Sequence, residues 1–454
     1  MASQSGAFEV EGQRPSMSSV PLSAVTDDEG VALTKTLDLR LLATAAFPGF
    51  FGFINFASVV PLMGLYARDY GFSVLAQGVV LSSLQVGWCA GLVIFNVLAL
   101  SVRLPTRTIV AVGCILCAMS PVVLLVFPAA ETVAFMQVCQ GTGNAMVSTG
   151  MQGAIVRGFP SHLHGRAFAA QSVFISAGAA YGLVVGQLYD FGRLRALAAA
   201  LLGIGCLGFS SYICVVPESW FRARDAAVKK DRGQECGRFS HILRGPQAGL
   251  LACAFLSAFL LSSYWTAIPT ALAREFEMSA VAVSIFWSGL EAGKICCSVL
   301  GGITADCPED CCGSVVARYH VLFGLQICVL GLLNAALFTD SALVFCVASA
   351  SVIWLGGTTP TAGLMGPMFQ KVMNRVEVVQ GKGAIEEIYS LWGTAVALGG
   401  WLGPLVTGFV YRGSGFFAAV EALVAIAVPL FVVLCFLNWP LFAVRGTPQA
   451  GSNT

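Results

Sequence analysis

Twelve stretches of this 454-residue chain are each long and apolar enough to cross a lipid bilayer, and no other feature limits its fold as strongly. Crossing ~30 Å of hydrocarbon as a helix takes about 20 mainly apolar residues. The stretches are 41–67, 75–100, 108–128, 133–157, 167–191, 196–216, 248–272, 280–304, 315–338, 342–366, 385–411 and 415–442. Inside a bilayer every backbone N–H and C=O must be satisfied, so only helices and closed barrels span it. Barrel strands would read as alternating segments of ~10 residues, a pattern this sequence does not show. Gly and Pro inside the stretches are not read as breaks, because both are frequent in membrane helices. The expected fold is an all-α polytopic membrane protein with 12 transmembrane helices in two six-helix pseudo-symmetric bundles.

Composition agrees. Charged residues make up 11% and hydrophobic ones 57%, with a mean hydropathy of +0.79; a soluble domain carries roughly 25% charged residues. A soluble enzyme is excluded. The 16 cysteines are scattered through apolar stretches, unlike those of a short secreted disulfide scaffold. A formal net charge of +1 gives no field that would draw the chain to nucleic acid.

The organisation is a tail, a bundle, a linker, a bundle and a tail. Residues 1–40 are polar, lack the apolar core of a signal peptide, and read as a disordered cytoplasmic tail. Residues 41–216 hold six spans and 248–442 hold six more, followed by a short tail, 443–454. Between the bundles, 217–247 carries seven basic residues against four acids. With both termini in the cytoplasm, 19 of the 25 Lys and Arg residues fall on the cytoplasmic side and five on the other, as the positive-inside rule requires.

The chain also repeats itself. Tyr66-Ala-Arg-Asp-Tyr-Gly-Phe-Ser73 resembles Leu272-Ala-Arg-Glu-Phe-Glu-Met-Ser279, an offset of 206 residues, and Leu84-Gln-Val-Gly87 matches Leu290-Glu-Ala-Gly293 at the same offset. Both matches fall at the same topological point of each half. Repeats of this kind place a substrate site near the midplane, between halves that rock about it.

These features together resemble the major facilitator superfamily over almost the whole chain. In span four, Gln137-Val-Cys-Gln140-Gly141-Thr-Gly143 resembles the family's Arg-x-x-Gln-Gly pattern, with Gln137 in place of Arg. In span five, Gly178, Gly182 and Gly186 match the antiporter motif Gly-x-x-x-Gly-Pro-x-x-Gly, with Leu183 in place of Pro. Arg103 and Arg107 remain of the motif between spans two and three, and Gly302-Ile-Thr-Ala-Asp306 keeps its Asp in the second half. Pro217-Glu218-Ser219 ends span six in the family's manner, and span eleven, from Tyr389 through Gly399, Gly403-Pro404 and Gly408, resembles the drug:proton antiporter and vesicular amine transporter branch. The acids which those amine carriers place in spans one and eleven correspond to Gly52 and Gly393 here, so the resemblance implies the fold and not an amine substrate.

Chemistry points first to span eight, where Glu291 and Lys294 lie at i and i+3 on one helical face. A charge at midplane costs at least ~2.5–3.5 kcal/mol on insertion scales, so it faces protein or water. Glu291 can take a coupling proton while Lys294 balances it or attracts an anionic group; a structural ion pair is the alternative. Gln137, Gln140 and Asn144 form one polar stripe on span four, and Asn55 lies in span one. The resemblance puts spans one, four, seven and ten around the cavity, where such groups bind solute; they can equally join helices. Tyr264 and Trp265 in span seven and Trp354 in span ten can stack on a ligand or simply pack. Glu386 and Glu387 at the start of span eleven can form a gate or proton path or simply complement the helix dipole, and Glu421 can reach toward the headgroups.

Cys307, Cys311 and Cys312, with Asp306, Glu309, Asp310 and His320 nearby, make only half of a zinc site. His162 and His164, beside Arg166, read as a solvated loop. No phosphate-binding Gly-rich motif follows a strand, so nothing supports ATP-driven transport. The expectation is a secondary transporter of a small organic solute by alternating access, coupled to protons, monomeric, without cofactor or metal, in the plasma membrane rather than an organelle. An uncoupled facilitator and a transport-inactive sensor are the alternatives.

Overall fold

The computed structural model describes residues 39–59, 63, 71, 73–102, 104–127, 129–158, 164–215, 247–306, 341–353 and 385–443. The tails, the basic linker, span nine, most of span ten and Arg103 lie outside this set. Among the described residues there are helices and no strands. They are α1 (Leu39–Val59), α2 (Val74–Asn96), α3 (Thr106–Met119), α4 (Val122–Val126), α5 (Ala130–Gly158), α6 (His164–Gly186), α7 (Tyr189–Val215), α8 (Gln247–Arg274), α9 (Ala280–Asp306), α10 (Ala342–Ile353) and α11 (Ile385–Ala443).

Three departures from regular helix have local causes. Span three divides into α3 and α4 at Ser120–Pro121, because Pro has no N–H to continue the hydrogen-bond ladder. Span two ends in a π turn, Val97–Ser101, closed by Val102 N–H donating to the Val97 carbonyl at 3.1 Å. The 59 residues of α11 would measure about 90 Å if straight, far longer than a bilayer is thick. The run is broken at Gly415, whose φ of 83° no other residue type adopts readily. Pro269 and Pro404, by contrast, sit inside α8 and α11.

The distribution of side chains is that of a protein dissolved in lipid. Phe436, Leu343 and Phe409 are more than 70% exposed, while Asn55, Gln77, Gln137 and Gln140 are at most 1% exposed. Seven helical stretches among the described residues are long and apolar enough to cross a bilayer; the longest, Leu391–Phe436, covers spans eleven and twelve.

Packing between helices relies on small residues, since lipid offers no hydrophobic drive to bring helices together. In the first half α6 lies on α1: a Cβ at Gly178 or Gly182 would overlap the carbonyl oxygen of Phe50 or Ile54. In the second half α11 lies on α8 in the same way, with Gly399 against the Phe255 carbonyl and Gly403 against that of Phe259. The halves meet where α2 packs on α11 and where α6 packs on α9. Val74 and Leu183 of the first half are seated in the second half's core. Trp265 and Trp392 of the second half pack against first-half clusters.

Candidate functional site

The repeated serines set where the site-bearing helices begin. Ser73 accepts from Ala76 N–H at 3.2 Å and Ser279 from Ala282 N–H at 3.3 Å, so each caps the helix that follows. Three turns into the second of these helices, α9 presents Glu291 and Lys294. Lys294 Nζ donates to Glu291 Oε1 at 2.8 Å and to Oε2 at 2.9 Å. Glu291 is 3% exposed, and Lys294 is its only hydrogen-bond partner among the described residues. A lone carboxylate so far from water would be strongly penalised, and the ammonium offsets that penalty.

Lys294 also lies 5.3 Å from the ring centroid of Trp265 on α8, within reach of a cation–π attraction. Trp265 in turn meets Phe56 on α1, with ring centroids 5.1 Å apart. Phe56 and Trp265 belong to opposite halves. The ion pair, the indole and the phenyl ring thus form one chain of contacts ending at the boundary between the halves.

The polar stripe of α5 is buried to a residue. Gln137 and Gln140 are 1% and 0% exposed, and neither side chain has a hydrogen-bond partner for its oxygen or its nitrogen among the described residues. An unsatisfied buried group costs about 1–3 kcal/mol. Asn144, one turn further on, is occupied: its Nδ2 donates to the Gly52 carbonyl at 3.4 Å and its Oδ1 accepts from the Cys117 thiol at 3.2 Å. Asn55 Nδ2 donates to the Cys117 carbonyl at 3.2 Å, while its Oδ1 has no partner among the described residues. A small cavity of about 20 Å³, bounded by Phe51, Asn55, Cys114, Cys117, Asn144 and Phe209, has room for a water or two. Asn144 and Asn55 therefore tie α1, α3 and α5 together.

Tyr264 is 2% exposed with no partner for its hydroxyl among the described residues, and it belongs to the second half's core beside Trp265. Gly178 and Gly182 hold α6 against α1, Gly186 ends α6, and Gly403 and Pro404 lie in the α8–α11 and α2–α11 contacts. The backbone carbonyl of Arg107 accepts from the Tyr212 hydroxyl at 3.1 Å, and Asp306 closes α9. Glu421 is exposed. Arg103, Trp354, His162 and the group Cys307, Cys311, Cys312, Glu309, Asp310 and His320 lie outside the described residues, as do the side chains of Glu386 and Glu387. No group of three or more His, Cys, Asp or Glu side chains placed to hold a metal occurs among the described residues.

Two contacts escape sequence reading. Thr270 Oγ1 donates to Gln77 Oε1 at 3.1 Å, joining α8 to α2 across the halves, with both residues at most 2% exposed. Gln77's place one turn after the capping Ser73 was its only signal. Cys117 serves Asn55 and Asn144 at once, and nothing in an apolar Cys-rich helix distinguishes it.

The profile of the Major Facilitator Superfamily matches residues 45–385. None of the curated proteins matches the sequence. The fold is similar to that of the human organic anion transporter MFSD10 (TETRAN), with a TM-score of 0.63 and 15% identity over 87% of this chain and 99% of that one. It is also similar to a bacterial homolog of the human lysosomal transporter Spinster in an inward-facing and occupied conformation, with a TM-score of 0.61 and 12% identity over 88% and 95% of the two chains.

Proposed function

We propose, on the premise that this chain belongs to the major facilitator superfamily of membrane transporters, that it moves a small organic solute by alternating access and couples that movement to protons. Membrane transport by an integral multi-pass protein follows from the family. The coupling reading rests on one observation: Glu291 and Lys294 pair at 2.8 Å beside the Trp265–Phe56 contact. Ionisable groups at such depth mark substrate or proton pathways when they face the protein interior. Rocking of the halves would part Trp265 from Phe56 and open the pair to water from alternate sides, so that Glu291 exchanges its proton with each side in turn. The α2–α11 and α6–α9 contacts are the surfaces over which that rocking runs.

The test uses purified full-length protein in proteoliposomes, a mixed set of organic solutes, and an imposed pH gradient. Glu291→Gln should abolish the pH dependence of uptake while solute exchange persists. Wild-type pH dependence in a well-folded Glu291→Gln protein would rule Glu291 out as proton carrier. If the pair is only structural, each single change instead lowers the melting temperature and an apolar double replacement restores it.

An uncoupled facilitator is the second reading, favoured by the neutral Gln137 where the family carries Arg and by Leu183 in place of Pro. It requires uptake that follows the solute gradient alone in the wild-type protein. The remaining assignments are a monomer without cofactor, both termini cytoplasmic, in the plasma membrane.

A further inference from the structure

The contacts around Lys294 name a class of solute, given Glu291 as the proton carrier. An ammonium has three N–H donors. Two are directed at the Glu291 carboxylate, and the remaining contact is with the Trp265 ring. Of the pair, Lys294 is the more accessible, its side chain 12% exposed against 4% for Glu291. A ligand therefore meets the cation first. Beside the cation stands an apolar wall, Trp265 and Phe56, one ring from each half.

We infer that the solute is an amphipathic organic anion: its acid group takes the place of Glu291 at Lys294 once Glu291 is protonated, and its apolar body lies along Trp265 and Phe56. Protonation removes the counter-charge of a half-buried ammonium, and an anion restores it. Proton and anion therefore favour each other's binding, by the same factor in each direction. A cationic solute would be repelled by Lys294, and a neutral one would gain nothing from the proton. Among the described residues, no other carboxylate on the helices packed against α9 competes for the proton. Helices α6, α8 and α10, which pack on α9, carry no Asp or Glu, and the only other acid of α9 is its terminal Asp306. Their ionisable residues are His164, Arg166 and Tyr181 on α6, Tyr264 and Arg274 on α8, and Cys253 and Cys346 on α8 and α10.

The experiment measures binding to the purified full-length protein by thermal shift and by tryptophan fluorescence. The probes are two matched sets: indole-3-acetate, indole-3-acetamide and tryptamine; and octanoate, octanamide and octylamine. Near pH 5.5 the carboxylates should raise the melting temperature while their amides and amines do not. Their affinity should fall at least about fivefold by pH 7.5, the lower end of usual coupling. Glu291→Gln should bind the carboxylates at pH 7.5 as tightly as wild type does near 5.5. Lys294→Met should lose that binding at both pH values, and Lys294→Arg should keep it. If Lys294→Met does not fold, Lys294→Arg and the head-group preference of the wild type decide the matter. The anion assignment is overturned by stabilisation from an amine above its carboxylate, by no head-group preference, by no carboxylate binding, or by unchanged binding in folded Lys294→Met. Loss of pH-dependent uptake in Glu291→Gln without carboxylate binding defeats the solute class alone. Carboxylate binding with wild-type pH dependence in Glu291→Gln defeats the proton carrier.

Discussion

Gly71 and Glu277 stand 206 residues apart in the sequence and both hold left-handed backbone, with φ of 71° and 50°, two residues before the serines that cap α2 and α9. The same turn thus feeds the second helix of each half. Only one of the two positions carries the residue suited to it. A side chain in this region costs roughly 1–2 kcal/mol, so Glu277→Gly should stabilise the protein by about 1 kcal/mol, read as a rise in melting temperature. Gly71→Val should lower it. A Cβ at Gly71 meets nothing within 4 Å, so that loss would report backbone conformation and not collision.

Thr270 and Gln77 hold the halves together through a weak bond. The single hydroxyl hydrogen of Thr270 is shared between Gln77 Oε1 at 3.1 Å and the Thr266 carbonyl at 2.7 Å. Thr270→Val leaves the Gln77 side-chain amide without a partner among the described residues, a loss of about 1–3 kcal/mol, and the double change with Gln77→Leu should recover most of it. Because the bond crosses between halves, Thr270→Val should also let α2 and α8 part more often. A cysteine placed at Val74, 4% exposed in the intact structure, should then react faster with an impermeant maleimide, above the background of the natural cysteines. An unchanged rate would show that the bond does not restrain this opening.

The spans that the structure describes could be read from the sequence because bilayer thickness imposes a length and a composition on each crossing. The repeat could be read because Ser73 and Ser279 do the same local work at the same offset. Glu291 and Lys294 stood out for a similar reason: a charge in an apolar run is a signal in itself. Partnership across helices was harder to read. Nothing local distinguishes Asn144, tied to Gly52 and Cys117, from Gln140, whose amide has no partner among the described residues. That difference is set by which helices flank each turn of α5. Nor does the sequence separate Gly205, pressed on the Ala118 backbone, from Gly203, beside which a Cβ meets nothing within 4 Å.

Gly178 and Gly399 make equivalent contacts, each against a carbonyl oxygen of the first helix of its half, Phe50 or Phe255. Gly178→Ala and Gly399→Ala should each destabilise the protein by about 1–3 kcal/mol, the usual penalty of overpacking. Gly203→Ala and Gly289→Ala, in open helical positions, should be neutral or stabilise by up to about 1 kcal/mol. Melting temperatures of the four variants test the point together. Equal losses at Gly178 and Gly399 are also what two superposable bundles would give, whereas a loss confined to one half would count against that arrangement.

The structure leaves no room for a side chain at Gly52. A Cβ at Gly52 would overlap Asn144 Oδ1, the atom that accepts the Cys117 thiol, while Asn144 Nδ2 donates to the Gly52 carbonyl at 3.4 Å. Gly52→Ala should therefore disrupt both bonds and lower stability by at least about 1 kcal/mol. Gly393 has only the tip of Leu92 within 3.1 Å of an added Cβ, so Gly393→Ala should be nearly neutral. Gly52→Asp adds an unpaired buried charge to the collision and should fold poorly without gaining amine binding, checked with tryptamine against the wild-type protein. An acid at Gly52 that folded and bound tryptamine would mean that α1 and α5 can separate here, and that Asn144 is a cavity residue and not a tie between helices.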